Sequence, residues 1–472
     1  MRFRTLAASL VLGVATLAPA APALAQQAAP ARVAIDTQYF TLPNGLRVVM
    51  SKDNIAPTVT VGVYYGIGFR IEPRERTGFA HLFEHLMFQG SANAPKGVFD
   101  STITNSGGVN NGSTRFDFTN YFEIVPSNAL ERILWLEGDR MARPVINDEV
   151  LKNQQGVVGN EVKVNVLNQP YSTWPWIDLP MLANTNWYNS HNFYGDLTEI
   201  EAATVEDAKQ FFDAFYRPSN AVLVIAGDID YAATRAMVQK YFGAIPKKDA
   251  VKLPDISEPR QTEEKVKSRV DALAPKPGYA AGYHVPARGT PEWYAMGLID
   301  QILVQGEDSR LYRKLVQESG ITGDISGGIN ALLGNMYNYN GPMLWSFSLV
   351  HDATHKPEDV TKAVDEVIEA LRTTKVGAEE LARARTKVRS QLYSQIDGGG
   401  RVGLIDLLAV HALFDNDPSR VNQIEAGFAQ VTPELIQKTA QEYLRPTNRS
   451  IYTIVPGAAA KAAVATPNSG AN

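Results

Sequence analysis

The chain has 472 residues, too many for a single hydrophobic core, so two or more domains are expected. Hydrophobic residues make up 44% and charged residues 20%, the balance of a globular chain rather than a disordered one. A formal net charge of −5 offers no basic field for nucleic acid, and the lack of cysteine excludes disulfides and thiolate metal sites, so any metal must be held by His, Asp or Glu.

Residues 1–25 read as a secretory signal peptide. Arg2 and Arg4 form a short basic region, Leu6 to Ala20 is apolar and small, and Ala23-Leu24-Ala25 supplies a small-x-small cleavage signal before Gln26. Pro19 interrupts the apolar run, which is short for a permanent span, and no later stretch is long and apolar enough to cross a bilayer. Cleavage after Ala25 removes two positive charges and leaves −5 − 2 = −7. A periplasmic protein with no membrane span after signal removal is expected.

After a loose Ala/Gln/Pro-rich stretch, Tyr39 to Met50 reads as two strands around the Asn44-Gly45 turn, and Thr58 to Tyr65 as a third strand rich in β-branched and aromatic residues. The stretch Thr77 to Gly90 predicts a helix carrying His81, Glu84 and His85. Positions i and i+4 share a helix face and i+3 lies beside them, so two imidazoles can converge on one spot with a carboxylate next to it. Neutral nitrogen ligands for a divalent ion, with an acid/base group over a bound water, are what a hydrolytic metal site needs. Phe79, Phe83, Met87 and Phe88 suit the buried side of this helix.

The polar, Gly/Asn-rich run Asn105 to Thr114 leads into an alternating strand from Phe116 to Val125. Residues 127–143 have helical spacing, and a further helix runs from Asn147 to about Asn165, with Asp148 and Glu149 suiting its first turn. Residues 205–216 are helical, Arg217 to Asp228 gives a buried strand between two turns, and a helix to about Phe242 completes a domain over 33–245. Residues 246–262, with three prolines and many charges, have the composition of a linker.

Residues 263–457 echo the first part. Tyr443-Leu-Arg-Pro-Thr-Asn-Arg-Ser-Ile-Tyr-Thr-Ile-Val-Pro-Gly457 repeats the pattern of Tyr216-Arg-Pro-Ser-Asn-Ala-Val-Leu-Val-Ile-Ala-Gly227, about 227 residues earlier, so the chain reads as a duplicated α+β unit. Gly289 to Ser319, which matches the histidine helix in position, has no paired histidines, so only the first copy keeps metal chemistry. The Ala/Gly/Pro-rich tail 458–472 is expected to be disordered.

Two histidines leave zinc one short of the three protein ligands of a catalytic site. A carboxylate is the obvious third. Asp148, Glu149 and Glu161 all lie on the helix after Asn147, the first two at its start and Glu161 deep within it, and spacing alone chooses only weakly among them.

His81-x-x-Glu84-His85 is the inverted zinc motif. With it, the chain resembles the pitrilysin/insulinase family of zinc peptidases, most closely the zinc-bearing subunits of the shorter branch similar to mitochondrial processing peptidase and its bacterial relatives. The interval of 161 − 85 = 76 residues from His85 to Glu161 is that family's spacing to its third-ligand Glu. Gly107-Gly108 with Asn111, Thr119-x-Tyr121, Asn153-Gln-Gln-Gly-Val-Val158 and the repeated Arg-Pro-x-Asn extend the resemblance over most of the chain.

The resemblance implies two homologous α+β halves, each an antiparallel-rich sheet packed with helices, joined by a linker into a clam-shell. It implies one zinc ion held by His81, His85 and Glu161, a metal-activated water with Glu84 as general base, and hydrolysis of peptides or unfolded segments by an exported metalloendopeptidase. It also implies that Gly107 to Thr114 forms a sheet edge to which a substrate backbone adds as a strand, with Asn111 making a backbone contact.

Two departures stand out. Gln154 occupies the place of a second Glu that often supports the ligand seven residues on; a neutral amide can orient a neighbour but cannot tune its charge. Val316 and Gly323 stand where complete members carry an Arg and a Tyr that hold substrate and steady the oxyanion. The active form is therefore expected to be a hetero-dimer with a zinc-less homologous subunit that supplies those groups. The alternative is a non-catalytic assembly or peptide-binding subunit.

Overall fold

A computed structural model describes residues 34–457; the segments read as signal peptide and as tail lie outside the described residues. Six strands come from the first half of the chain: β1 (Gln38–Thr41), β2 (Arg47–Lys52), β3 (Thr58–Tyr65), β4 (Val109–Thr114), β5 (Thr119–Pro126) and β6 (Ala221–Gly227). They form one sheet in the order β1-β2-β6-β3-β5-β4. The central β6, Ala-Val-Leu-Val-Ile-Ala-Gly, is buried at every residue, which is why its sequence is continuously apolar rather than alternating. β2 runs parallel to β6, pairing Val49 with Val224, and the other neighbours are antiparallel. The strand expected from Phe116 begins at Thr119, because Phe116 and Asp117 occupy the β4–β5 turn that Arg115 N–H closes onto the Phe118 carbonyl at 2.8 Å.

Five helices of this half matter below: α1 (Phe79–Leu86), α2 (Leu130–Ala142), α3 (Asp148–Val162), α4 (Asp178–Ala183) and α5 (Tyr231–Phe242). α1 packs between α3 and the β4–β5 hairpin, while α2 lies against α5.

The second half contributes β7 (Lys265–Asp271), β8 (Gly278–His284), β9 (Ser326–Ile329), β10 (Leu344–Val350) and β11 (Arg449–Pro456), with α6 (Pro291–Leu303), α7 (Pro357–Thr373) and α8 (Val402–Asp415). Its sheet has the order β7-β11-β8-β10-β9, again with a single parallel pair, β7 and β11. Strand for strand this repeats β2-β6-β3-β5-β4; only β1 has no counterpart. The duplication read from Arg-Pro-x-Asn is a duplication of a whole sheet.

Each half also lends a helix to the other. α8 lies across β6, β3 and β2 of the first sheet. Its run Leu404-Ile-Asp-Leu-Leu-Ala-Val-His-Ala412 is apolar on nearly every side and buried accordingly. Gly62 on β3 leaves the room that Ile405 fills, since a Cβ there would stand 2.7 Å from Ile405 Cδ1. Arg401 pairs with Asp53 at 2.9 Å, and Arg47 Nη1 donates to the Ala412 carbonyl at 2.9 Å. In return α4 covers β8 and β11, with Leu179 over Gly282, and Trp174 just before it donates its indole N–H to the Tyr452 carbonyl at 2.9 Å.

Residues 246–262 carry no helix or strand. They are nevertheless pinned: the Glu258 carboxylate accepts the backbone N–H groups of Thr185 (2.9 Å) and Asn186 (2.8 Å), and Asn189 Nδ2 donates to the Ile256 carbonyl at 2.8 Å. Among the described residues no helix is long and apolar enough to cross a membrane.

Candidate metal centre

The start of α1 is fixed before any functional group appears. Gly78 precedes it with φ +82°, and a Cβ there would lie 2.6 Å from the Tyr194 carbonyl, so both conformation and space demand glycine. The first N–H groups of a helix have no partner within it. Here the fully buried Glu72 supplies one, Oε2 accepting from Gly78 N–H at 2.9 Å and Oε1 from Ala80 N–H at 2.6 Å. A negative group at this end also suits the helix dipole. Burial pushes the Glu72 carboxyl up, opposed by His191, whose Nε2 stands 3.7 Å from Oε2.

One side of α1 is aromatic core. Phe79 and Phe83 pack on Phe211, with centroids 5.5 and 4.9 Å apart, and Phe83 also meets Tyr216 at 5.1 Å. That burial turns His81, Glu84 and His85 toward α3. His81 Nε2 and His85 Nε2 are 3.3 Å apart. Glu161, near the end of α3, brings Oε1 to 3.6 Å from His81 Nε2 and Oε2 to 3.1 Å from His85 Nε2. The two imidazoles hold the Glu161 carboxyl well below the usual carboxylate range, so it is ionised.

This donor set fits zinc. Donors held at about 2.0–2.1 Å by a tetrahedral ion stand about 3.3 Å from one another. The separations of 3.1–3.6 Å bracket that value without rearrangement. Among the described residues these three are the one group of His, Asp and Glu with ligand atoms close enough to hold a metal, all within 4.8 Å.

Glu84 sits beside the cluster and takes a hydrogen bond from Thr114 Oγ1 to Oε2 at 2.6 Å. Thr114 closes β4, the outermost strand of its sheet. Gly112 on the same strand is the close approach: a Cβ there would stand 3.2 Å from Glu84 Cγ and 3.2 Å from the Phe88 ring. Asn111 is exposed on this edge, and its Oδ1 accepts the Gly112 N–H at 2.9 Å.

The remaining sequence candidates lie farther out. Gln154 is buried on α3 and donates Nε2 to Asn153 Oδ1 at 2.9 Å; among the described residues no hydrogen bond joins it to His81, His85 or Glu161. Val316 is half-buried in the helical segment after Arg310, and Gly323 is exposed; neither offers a polar side chain.

Two residues that sequence reasoning passed over complete the surroundings, Glu72 and Tyr194. The Tyr194 ring stands edge-on to His81, centroids 4.9 Å apart and planes at 90°. Trp176 at 5.3 Å and Phe69 at 6.2 Å wedge it from other sides. Gly195, with φ +77°, keeps this segment against α1, since a Cβ there would run within 2.4 Å of the Thr77 backbone. Burial, then the charges of Glu161 and Glu84, push the Tyr194 phenol up, so it is protonated at neutral pH. The one signal that pointed to Tyr194 is its neighbour: an aromatic followed by Gly marks a tight approach, but not what it approaches.

A family model described as Insulinase (Peptidase family M16) matches residues 47–174, which include all three candidate ligands and Glu84, and one described as Peptidase M16 inactive domain matches residues 202–388. The chain belongs to peptidase family M16. This M16 chain is 25% identical over 430 residues to zinc protease PqqE of Helicobacter pylori, covering 89% of the chain and 93% of that relative. It is 22% identical over 377 residues to mitochondrial-processing peptidase subunit beta of Saccharomyces cerevisiae, covering 77% and 79%. The crystal structure of a protease from Helicobacter pylori shares its fold with a TM-score of 0.81 at 23% identity, over 90% of this chain and 100% of that one.

Proposed function

We propose that this M16 chain is an exported zinc metalloendopeptidase acting on peptides or unfolded segments, with one zinc ion held by His81, His85 and Glu161. The observation that carries the reading is the convergence of the three ligand groups within 4.8 Å of one another, with Glu84 alongside. A zinc ion in that place supplies a Lewis acid for the peptide carbonyl and a lowered pKa for water. Glu84 accepts the proton of the attacking water and returns it to the leaving amine, oriented throughout by Thr114. The outer edge of β4 offers unpaired backbone groups to an extended peptide, which adds as a strand with Asn111 and Gly112 facing it. Gln154 supports the packing of α3 rather than the charge of Glu161.

Val316 and Gly323 leave the second half without the Arg and Tyr of complete relatives, so a zinc-less homologous partner chain is proposed to supply them. Export rests on the residues 1–25. The same two positions favour a competing reading, a non-catalytic assembly or peptide-binding subunit. Glu84 counts against it, because a pure binder has no use for a base over a metal site.

The deciding experiment is peptide cleavage with and without chelator, for the chain alone and co-expressed with a candidate partner. Chelator-sensitive cleavage that Glu84→Gln lowers by about 10²–10⁴-fold, with zinc retained, is expected. Undiminished cleavage by Glu84→Gln, or full activity of the single chain without any gain from a partner, overturns the base or the partner respectively.

A further inference from the structure

The ring that borders the candidate metal cluster at His81 belongs to a tyrosine and so carries a hydroxyl. We infer that Tyr194 is a catalytic residue of this chain, its phenol donating a hydrogen bond to the oxyanion that develops as a peptide carbonyl is attacked beside His81. The inference rests on the proposed peptidase reading and deepens it: the first half carries its own oxyanion donor, distinct from any group a partner chain brings to the places of Val316 and Gly323.

Four observations support this role. The first is position. The Tyr194 ring lies edge-on to a candidate ligand, His81, at 4.9 Å, so it borders the cluster directly. The second is rigidity. Trp176 and Phe69 hold the ring from two further directions, and Gly78 and Gly195 interlock the backbones of α1 and of the Tyr194 segment with no room for a Cβ on either. An oxyanion donor works only when it is positioned in advance, so that no reorganisation accompanies the reaction. The third is availability. Buried tyrosine hydroxyls are usually satisfied, as Tyr121 is by the Phe83 carbonyl at 3.0 Å. Among the described residues the Tyr194 hydroxyl makes no protein hydrogen bond, and the residue is only half-buried. The fourth is charge. Glu84 and Glu161 already place two carboxylates by the cluster, and among the hydrogen-bonding groups described around it Thr114 is spent on Glu84. A neutral donor is the kind of group the site otherwise lacks.

Tyr194→Phe isolates the hydroxyl, since phenylalanine keeps the ring against His81, Trp176 and Phe69. The zinc-loaded full chain, with its partner where one is required, is assayed for peptide hydrolysis. The expected result is a fall in kcat of roughly 100-fold with KM and zinc content unchanged. A second readout needs no turnover: affinity for a phosphinic peptide, whose tetrahedral anion imitates the attacked carbonyl, compared with affinity for the uncleaved peptide in a Glu84→Gln background. Tyr194→Phe is expected to weaken the phosphinic peptide by a similar factor and to leave the plain peptide unaffected. Equal phosphinic affinities for the parent and Tyr194→Phe overturn the assignment. Selective weakening of the phosphinic peptide in a chain that shows no chelator-sensitive cleavage upholds Tyr194 as the anion donor and removes the peptidase reading instead.

Discussion

Glu72 makes the anchoring of α1, which carries the candidate ligands His81 and His85, testable. Replacing it with Ala removes the acceptor of Gly78 N–H and Ala80 N–H and leaves both donors at a buried helix start. Hydrogen bonds to a charged group contribute about 1.5–3 kcal/mol each. Two of them give about 3–6 kcal/mol, from which the burial that pushes the Glu72 carboxyl up must be discounted. A net loss of about 3 kcal/mol remains, close to the cost of breaking a buried pair. Because the two halves interlock and melt as one unit of about 420 residues, this lowers Tm by roughly 3–4 °C. Glu72→Gln keeps one acceptor oxygen and should lose about half as much. Thermal unfolding of the zinc-free protein measures both variants, and a zinc competition titration of Glu72→Ala should show affinity weakened by about tenfold, as for other groups that orient ligands from behind. A Tm within about 1 °C of the parent (about 1 kcal/mol), together with unchanged zinc affinity, would refute the claim that Glu72 sets the helix start.

Three further outcomes follow from the geometry. Glu161→Gln, or the double change His81→Ala with His85→Ala, should weaken zinc binding by more than the roughly 10–100-fold of an outer-shell loss, read by metal content after dialysis; unchanged content sinks the ligand set. Gly112→Val should lower kcat by up to about 100-fold, because its side chain would displace Glu84 and Phe88, while leaving Tm nearly untouched on an edge strand. Asp300 on α6 is fully enclosed, accepts the Trp345 indole N–H at 2.8 Å, and is pushed by burial up to about 7 from an ordinary 3.8. A carboxyl raised on folding contributes stability that is present below its unfolded pKa and is lost as pH rises through the folded one. Asp300→Asn should therefore gain on the parent by roughly 4 kcal/mol between pH 4 and pH 8. Parallel stability curves across that window would show that Asp300 does not titrate in the fold.

The parts of the site that sequence revealed are those that local geometry or a fixed interval determines. His81, Glu84 and His85 share a face by helix arithmetic alone. Glu161 stood out from Asp148 and Glu149 only through an interval of 76 residues, because the crossing of α1 and α3 that brings it in is tertiary. Thr114 and Tyr194 reach the cluster from a strand edge and from a turn far along the chain; Gly195 marks a tight approach beside Tyr194, but nothing local to either residue says what is approached. For the fold, Arg-Pro-x-Asn betrayed the repeated strand, and the shared strand order followed from the duplication. The exchange of α4 and α8 did not. An all-apolar run such as Leu404 to Ala412 says that a helix is buried, but not which sheet covers it.

That exchange decides how separable the two halves are. A polypeptide cut within residues 246–262 would still have α8 threaded onto the first sheet and α4 onto the second, so the two fragments should co-purify as one particle and melt together. Either fragment made alone would bare the face its missing helix once covered and should aggregate. Mixing the two on refolding should restore the candidate metal cluster, although His81, His85 and Glu161 all belong to the N-terminal piece. A repeated fold with this exchange is locked in place: because each half covers the other's sheet with one of its own helices, neither can stand as a free module.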